Sequence, residues 1–224
     1  MSEPNKMAEA ETSLSSLVRR FFPSVSYEQL RQFELLPGLY REWNAKINVV
    51  SRKDIDHIEE HHILHSLGIA RFAKFAPGAE VLDIGTGGGF PGIPLSILFP
   101  EARFTLIDGT GKKVMVAKAI SEAAGLQNVT LLHARAEELP SELCHYIVSR
   151  GALPLSDLYR FGQKLIFQET PAPGLLPKGI IVLKGGLLTS ELRPFKKVAT
   201  VEELEDHFPG MPFFREKKVI YLPL

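Results

Sequence analysis

The chain lacks the features that mark several large classes of protein. It has a single cysteine, Cys144, in 224 residues, which excludes an internal disulfide and a zinc site built on four cysteines. No apolar run reaches the roughly 20 residues that span a bilayer, and the N-terminus is polar and acidic rather than signal-like. The sequence therefore predicts a protein of a reducing compartment, the cytoplasm, with no membrane partner.

The chain also lacks an excess of charge of either sign. It has 26 lysines and arginines against 26 aspartates and glutamates, so the formal net charge is zero. A bulk electrostatic field therefore gives no support to non-specific nucleic-acid binding, and such a partner would need a local basic patch. With 45% apolar and 23% charged residues, the composition is that of an ordinary globular chain with one sizeable core.

A glycine loop behind a short apolar run is the most informative stretch of the sequence. Residues 80–84 are typical of a strand buried on both faces of a parallel sheet, and four of the five residues 85–89 are glycine. Pro91 then suits the first turn of a helix. A strand, a glycine loop and a helix in this order present free backbone N–H groups at the edge where open α/β sheets bind nucleotide-like ligands, and Gly85 and Gly87 are the candidate contacts.

The residues around this loop indicate which nucleotide-like ligand it binds. Asp108 ends the next strand, 103–107, where a carboxylate can accept hydrogen bonds from both hydroxyls of a ribose. Phe90 occupies the sixth position of the motif, where dinucleotide-binding loops need Gly or Ala, and no phosphate-binding Gly-Lys-Ser/Thr follows. The pattern therefore favours S-adenosylmethionine, with Gly85 and Asp83 expected to face its amino-acid tail.

The remainder of the chain alternates predicted strands and helices. This order indicates an α/β fold with a doubly wound, mainly parallel, Rossmann-like sheet, typical of class I S-adenosylmethionine-dependent methyltransferases. We expect an S-adenosylmethionine-binding domain at 77–224, ending in an antiparallel edge hairpin without a helix between its strands. The predicted strands are 80–84, 103–107, 129–133, 142–149, 179–184 and, in the hairpin, 198–204 and 217–222; the predicted helices are 92–99, 112–124 and 157–167, with an irregular connector at 168–178.

Residues 1–76 are predicted to form a helical appendage. Apolar spacing indicates a helix over 14–22, and Ser26 is a candidate N-cap for a second helix. Pro37 and Gly38 interrupt the second pattern, so we expect a kink or a break there. Residues 55–75 then return to helical spacing.

Histidines spaced by four residues raise the alternative of a metal site. His57, Glu60 and His61 match the inverted zinc-protease pattern H-x-x-E-H, and His65 continues the same helix face. That site would need a further carboxylate ligand and would leave the glycine loop without a role. The simpler interpretation is a polar helix face near the substrate and no metal.

Residues after the later strands are further candidates for the site. Ala136 and Glu137 follow the third strand, where an adenine would lie, although the same residues could form a solvated turn. Arg150 and Lys184 end the fourth and fifth strands, at the ligand-binding edge. The fourth strand is followed neither by the Asn/Asp-Pro-Pro-aromatic tetrad of amine methyltransferases nor by a nucleophilic cysteine, since Cys144 falls near its start.

Together these motifs resemble the RsmG (GidB) family of 16S ribosomal RNA guanine-N7 methyltransferases over nearly the whole chain. The family commonly has Asp in place of His65, and usually has Ser in place of Gly109 and Ala in place of Gly151. The segments that carry the resemblance are 43–48, 62–66, 83–97, 108–113, 135–137, 149–150 and 183–185.

The resemblance implies an enzyme that transfers the methyl group of S-adenosylmethionine to N7 of a guanine in 16S rRNA without a general base, because N7 has a lone pair and no proton to lose. It implies a monomer whose partner is the small ribosomal subunit or its assembly intermediate. Arg150 and Lys184 are the candidate catalytic residues, meeting the guanine O6 edge or the cofactor carboxylate. The implied cofactor contacts are Gly85, Phe90, Ala136, Glu137 and Arg150, with Asp108 by analogy across the class, and the candidate RNA contacts are Lys46, Arg52, Lys53, Lys112, Lys113 and Lys118.

Two other functions use the same sequence features. A nicotinamide-dependent oxidoreductase would use the same glycine loop and Asp108, but Phe90 argues against it. A non-catalytic ribosome-binding module with a vestigial pocket would retain the fold without turnover.

Overall fold

The computed structural model describes residues 13–224, which form one seven-stranded sheet with helices on both faces. The strands are β1 Glu80–Ile84, β2 Arg103–Asp108, β3 Val129–His133, β4 Tyr146–Arg150, β5 Gly179–Gly185, β6 Thr200–Glu203 and β7 Lys217–Pro223. The α-helices are α1 Leu14–Phe21, α2 Tyr27–Asn44, α3 Gly68–Phe72, α4 Gly92–Leu98, α5 Gly111–Ala123, α6 Leu155–Leu165, α7 Thr189–Leu192 and α8 Leu204–His207. Single turns of 3₁₀ helix lie at Ile55–His57, Ala136–Glu138, Arg193–Phe195 and Pro212–Phe214, and a π-helix spans Ile58–Leu64.

The strand order is β3-β2-β1-β4-β5-β7-β6. Strands β1 to β5 are parallel, whereas β7 pairs antiparallel with both β5 and β6. The predicted doubly wound sheet with an antiparallel pair at its edge is therefore confirmed. None of the helices within residues 13–224 is both long and apolar enough to cross a membrane.

Alternating side chains of the central strands fill two cores. In β4, Tyr146 and Val148 face one core and Ile147 faces the other, as expected for strands buried on both sides. The first core also contains Val18 and Phe33 from the N-terminal helices, and α2 packs against α4 and α5. The boundary between 1–76 and 77–224 stays a prediction about folding units, because the two segments share this core.

Helix α2 passes through Pro37 and Gly38 without a break, so the expected break is wrong, and the kink stays a prediction. A proline inside a helix costs about 3 kcal/mol because it removes one backbone hydrogen bond and crowds the preceding turn. Leu36 and Tyr40 on the same helix are fully buried, and this packing outweighs the local cost. The N-cap at Ser26 is confirmed, with a reciprocal capping box.

Three other parts of the chain differ from the prediction: the segment 55–75, the start of β4 and the connection within the C-terminal hairpin. The segment 55–75 divides into the 3₁₀ turn, the π-helix and α3 instead of one α-helix. Strand β4 begins at Tyr146 rather than at residue 142, because Glu142 has a left-handed φ of 56° and Cys144 makes only an isolated bridge. The hairpin connection contains α8 and a 3₁₀ turn, contrary to the expectation of no helix there.

Candidate functional site

A cleft opens at the carboxyl ends of β1 and β4, where the strand order reverses. Open α/β sheets bind ligands at this switch point. The cleft has a volume of about 490 Å³, within the range of small-molecule sites. Its lining includes six residues expected from the sequence: Gly85, Gly87, Asp108, Ala136, Glu137 and Arg150.

The glycine loop is a tight backbone turn beside this cleft. Gly85 has a φ of +72°, and a Cβ built on it would lie 2.5 Å from the Cβ of Ala152. Gly87 has a φ of +58°, and its N–H donates to Oδ2 of Asp108 at 3.0 Å. Glycine is therefore required at Gly85 by both the turn and the close approach of Ala152.

Asp83 lies beneath the loop rather than in the cleft. Its side chain is fully buried, and its Oδ2 accepts hydrogen bonds from Thr86 Oγ1 at 2.7 Å and from Gly92 N at 2.8 Å. Burial raises the pKa of Asp83 to about 7 against the lowering effect of these hydrogen bonds. The expectation that Asp83 faces the ligand tail is wrong, because its carboxyl group instead ties the start of the loop to the start of α4.

Asp108 ends β2 on one wall of the cleft. Its Oδ1 accepts from Thr110 N at 2.8 Å while Oδ2 accepts from Gly87 N, so the carboxylate is held in place by two backbone donors. Each carboxylate oxygen has a second lone pair that remains available to ligand hydroxyl groups. On the neighbouring wall, Ala136 is buried and Glu137 is exposed in the 3₁₀ turn that follows β3.

Arg150 forms the end of the cleft nearest the N-terminal helices. Its Nη1 donates to the His61 carbonyl at 3.1 Å, and its Nη2 donates to His62 Nδ1 at 2.9 Å. The guanidinium also lies 5.0 Å above the ring of Phe90. Burial lowers the pKa of Arg150 to about 10, which leaves the group protonated near pH 7.

Two predicted site residues lie outside the cleft lining. Phe90 is 3% exposed and stacks on Tyr40 with ring centroids 4.5 Å apart. Its ring therefore lies between Tyr40 of α2 and the guanidinium of Arg150. Lys184 donates to the Leu153 carbonyl at 2.8 Å and forms an ion pair with Glu191 at 2.7 Å. The first contact holds the chain that follows β4 directly, and the second holds it through Glu191 Oε1, which also accepts from Leu155 N at 2.7 Å.

The histidines form an aromatic column rather than a metal site. The rings of His57 and His61 stack at 4.7 Å, and His61 stacks on Phe213 at 4.0 Å. Within residues 13–224, no group of three or more His, Cys, Asp or Glu side chains is arranged to hold a metal ion. His65 is buried with its Nε2 unpartnered, and burial holds its pKa well below the usual value. The geometry of this segment therefore gives the zinc alternative no support.

Sequence reasoning missed two residues of the N-terminal segment that support the site. Tyr40 is fully buried, and its hydroxyl donates to the Gly88 carbonyl at 2.8 Å. Asp54 accepts from both His61 and His62. The contact of Tyr40 joins residues 48 positions apart, whose proximity only the fold determines. Asp54 lies seven and eight residues before its two histidines, and its contacts depend on the local course of the 3₁₀ turn and the π-helix.

The basic side chains proposed for RNA lie on two surfaces. Lys113 lines the cleft, next to the exposed Lys112 on α5. Lys46, on the N-terminal segment, is exposed and forms an ion pair with Glu42 at 2.8 Å. The remaining residues of the predicted set, Arg52, Lys53 and Lys118, are exposed.

Comparison with solved structures supports the fold. A S-adenosylmethionine-dependent methyltransferase from Aquifex aeolicus matches with a TM-score of 0.54 at 16% sequence identity, covering 77% of this chain and 98% of that chain. A predicted O-methyltransferase from Agrobacterium tumefaciens matches with a TM-score of 0.54 at 14% identity, covering 70% and 79% of the two chains. At these identities the likeness shows the fold alone.

Comparison of sequences identifies the family. A protein of Porphyromonas gingivalis named Ribosomal RNA small subunit methyltransferase G is 52% identical over 210 residues, which cover 94% of each chain. A protein of Bacteroides thetaiotaomicron with the same name is 50% identical over 205 residues, covering 92% of this chain and 98% of the relative. The family model described as rRNA small subunit methyltransferase G (GidB) matches residues 29–218. The chain therefore belongs to the GidB family of rRNA small subunit methyltransferases.

Proposed function

We propose that this protein transfers the methyl group of S-adenosylmethionine to N7 of a guanine in 16S rRNA. The observation that supports this most directly is the switch-point cleft, where the glycine loop, Asp108 and Arg150 converge. Membership of the rRNA methyltransferase family favours this reaction over a nicotinamide-dependent oxidoreductase built on the same loop. An rRNA substrate in turn favours a cytoplasmic site of action.

The residues of the cleft fit S-adenosylmethionine. The unblocked backbone at Gly87, where an added Cβ would meet no atom within 4 Å, leaves room for a ligand against the loop. The carboxylate of Asp108 would accept hydrogen bonds from the ribose hydroxyls, and Ala136 with Glu137 would border the adenine. Arg150, at the opposite end, would meet the carboxylate of the methionine moiety or the acceptor edge of guanine.

The chemistry requires positioning rather than proton transfer. When bound, S-adenosylmethionine supplies an electrophilic methyl group, and guanine N7 already has a free lone pair. The titratable groups that line the cleft are Asp108, Lys113, Arg135, Glu137 and Arg150; none of the described lining residues is a histidine or a cysteine. Alignment of reacting groups is worth up to about 7–11 kcal/mol in well-oriented systems, and the cleft would contribute by holding the cofactor beside the guanine.

Lys184 has a supporting role in this proposal. Its ammonium group is engaged by the Leu153 carbonyl and by Glu191, and it does not line the cleft. We therefore assign the direct contact to Arg150, and assign to Lys184 the stabilisation of the segment that follows β4.

The RNA would approach over the N-terminal segment and α5. We propose that basic residues on these two surfaces, the exposed Lys46, Arg52, Lys53, Lys112 and Lys118 and the half-buried Lys113, contact the phosphate backbone and compensate for the zero net charge. Residues 1–76 would then form the substrate-facing part of a monomer, and 77–224 the cofactor-binding part.

A modification assay tests this function. Ribosomal RNA from cells that lack the protein is expected to lose one 7-methylguanine and to regain it on incubation with purified protein and S-adenosylmethionine. Naked RNA, an assembly intermediate and the finished small subunit would be compared as substrates. RNA with an unchanged 7-methylguanine content would contradict the proposal, and cofactor binding without turnover would favour a non-catalytic binding module.

A further inference from the structure

The guanidinium of Arg150 is held by acceptors from the N-terminal segment. Its two hydrogen bonds to protein reach the backbone carbonyl of His61 and the ring nitrogen Nδ1 of His62. Both acceptors belong to the π-helix Ile58–Leu64, and Phe90 supports the guanidinium from below. A guanidinium has five N–H donors, so this arrangement fixes its plane and leaves donors for a ligand in the cleft.

The tautomer of His62 follows from these contacts. A guanidinium nitrogen can only donate, so the Nδ1 atom of His62 must be an unprotonated acceptor. The proton of the neutral ring is then on Nε2, which donates to Oδ2 of Asp54 at 2.5 Å. Burial, reinforced by the positive charge of Arg150, lowers the pKa of His62 to about 4, so the ring is neutral near pH 7.

Asp54 anchors both acceptors of Arg150 at the same time. Its Oδ1 atom lies 2.6 Å from Nδ1 of His61, while its Oδ2 atom accepts from His62. Both histidines belong to the π-helix, and π-helical turns often occur at functional sites. Asp54 therefore fixes both the carbonyl and the imidazole that orient the guanidinium.

We propose that Asp54 and His62 are positioning residues that hold Arg150 in its ligand-binding orientation. The proposal rests on the methyltransferase function proposed above, because it assigns to Arg150 a contact with cofactor or guanine. Neither Asp54 nor His62 lines the cleft, so both act through Arg150. The N-terminal segment would thereby orient a residue of the cofactor cleft in addition to contributing to the core.

A double-mutant cycle separates positioning from general support of the fold. His62→Gln removes the acceptor at Nδ1 but can still donate to Asp54, whereas His62→Asn retains an acceptor near the Nδ1 position. We expect His62→Gln to lower kcat/KM for rRNA methylation by roughly tenfold to a hundredfold, the range for a hydrogen bond to a charged group, and His62→Asn to recover part of that loss. In an Arg150→Met background, His62→Gln should have no further effect. His207→Gln, the same substitution at a histidine whose Nε2 also contacts a carboxylate, that of Glu202 at 2.6 Å, but which does not line the cleft, is the matched control and should retain wild-type kinetics.

An equal loss from His62→Gln in both backgrounds would overturn the proposal, as would unchanged kinetics in the wild-type background. Nitrogen NMR of the His62 ring gives a readout that does not depend on turnover. The Nε2–H tautomer is expected at pH 7 in the wild type, and Asp54→Asn should weaken that preference; an Nδ1–H tautomer in the wild type would contradict the geometry. If the wild type methylates no rRNA, the proposed function fails, and the same cycle measured by S-adenosylhomocysteine affinity, together with the NMR result, still decides whether His62 orients Arg150.

Discussion

The substitution Gly85→Ala tests the geometry of the glycine loop against a matched control. An alanine at Gly85 would adopt a φ of +72° and place its Cβ 2.5 Å from the Cβ of Ala152. Gly78 has a nearly equal φ of +78°, but a Cβ there would meet nothing within 4 Å. The two substitutions therefore share the backbone strain and differ in the steric overlap.

The expected magnitudes follow from these two contributions. An alanine held at positive φ is strained, and the lower entropy of the variant's unfolded chain offsets part of that cost. Gly78→Ala should therefore lower the unfolding free energy by about 1 kcal/mol. Overpacking adds about 1–3 kcal/mol at Gly85, giving a total of about 2–4 kcal/mol. For a chain of this size the melting temperature should fall by roughly 2–4 °C per kcal/mol.

Urea unfolding and S-adenosylhomocysteine calorimetry measure the two effects. Gly85→Ala should also weaken ligand binding, because Gly85 and Ala152 both line the cleft, whereas Gly78→Ala should not. Ala152→Gly in the Gly85→Ala background should recover the steric part of the loss. Equal destabilisation at the two glycines, or no recovery in the double variant, would refute the close approach of the loop to Ala152.

Three further predictions concern polar groups around the cleft. Asp108→Ala should weaken S-adenosylhomocysteine binding by roughly tenfold to a hundredfold in calorimetry, because hydrogen bonds to a charged acceptor are lost; unchanged affinity would remove Asp108 from the site. The pKa of Asp83 is raised to about 7 in the folded protein, so Asp83 should favour folding at low pH and lose that contribution as the pH rises from about 4 to 7. The pKa of His62 is lowered to about 4 in the folded protein, so its contribution to the unfolding free energy increases with pH and opposes that of Asp83. The test is therefore the difference in unfolding free energy between the wild type and Asp83→Asn, measured as a function of pH. A difference that does not change with pH would contradict the raised pKa of Asp83. Tyr40→Phe leaves the Gly88 carbonyl without its side-chain donor and should cost about 1–3 kcal/mol in urea unfolding, and an unaltered midpoint would show that the hydrogen bond does not stabilise the fold.

The sheet and the position of the cleft could be predicted from the sequence because their signals are local. Short apolar runs such as 80–84 specify strands buried on both faces, and the glycines after β1 mark a turn that few other residues adopt. Asp108 was placed correctly on the cleft wall because the end of a parallel strand fixes which edge of the sheet its side chain occupies.

The contacts between segments could not be predicted in the same way. Phe90 was expected to touch the cofactor, but its ring packs on Tyr40, a residue on α2 whose position only the tertiary fold determines. Lys184 lies one residue before the end of β5, yet its ammonium group is neutralised by Glu191 from α7. The direction of a long side chain depends on partners that are distant in sequence, and periodicity carries no information about them.

The shared core beneath the sheet determines what an isolated 77–224 fragment would be like. In the intact chain, Phe104 and Tyr146 are about 1% exposed in the same core as Val18 and Phe33 from the N-terminal helices. Without those helices, a broad aromatic and aliphatic surface would face water, and surfaces of that kind promote self-association. The Rossmann-like part would therefore be poorly soluble when expressed alone, so a minimal version of this protein must keep the N-terminal helices attached.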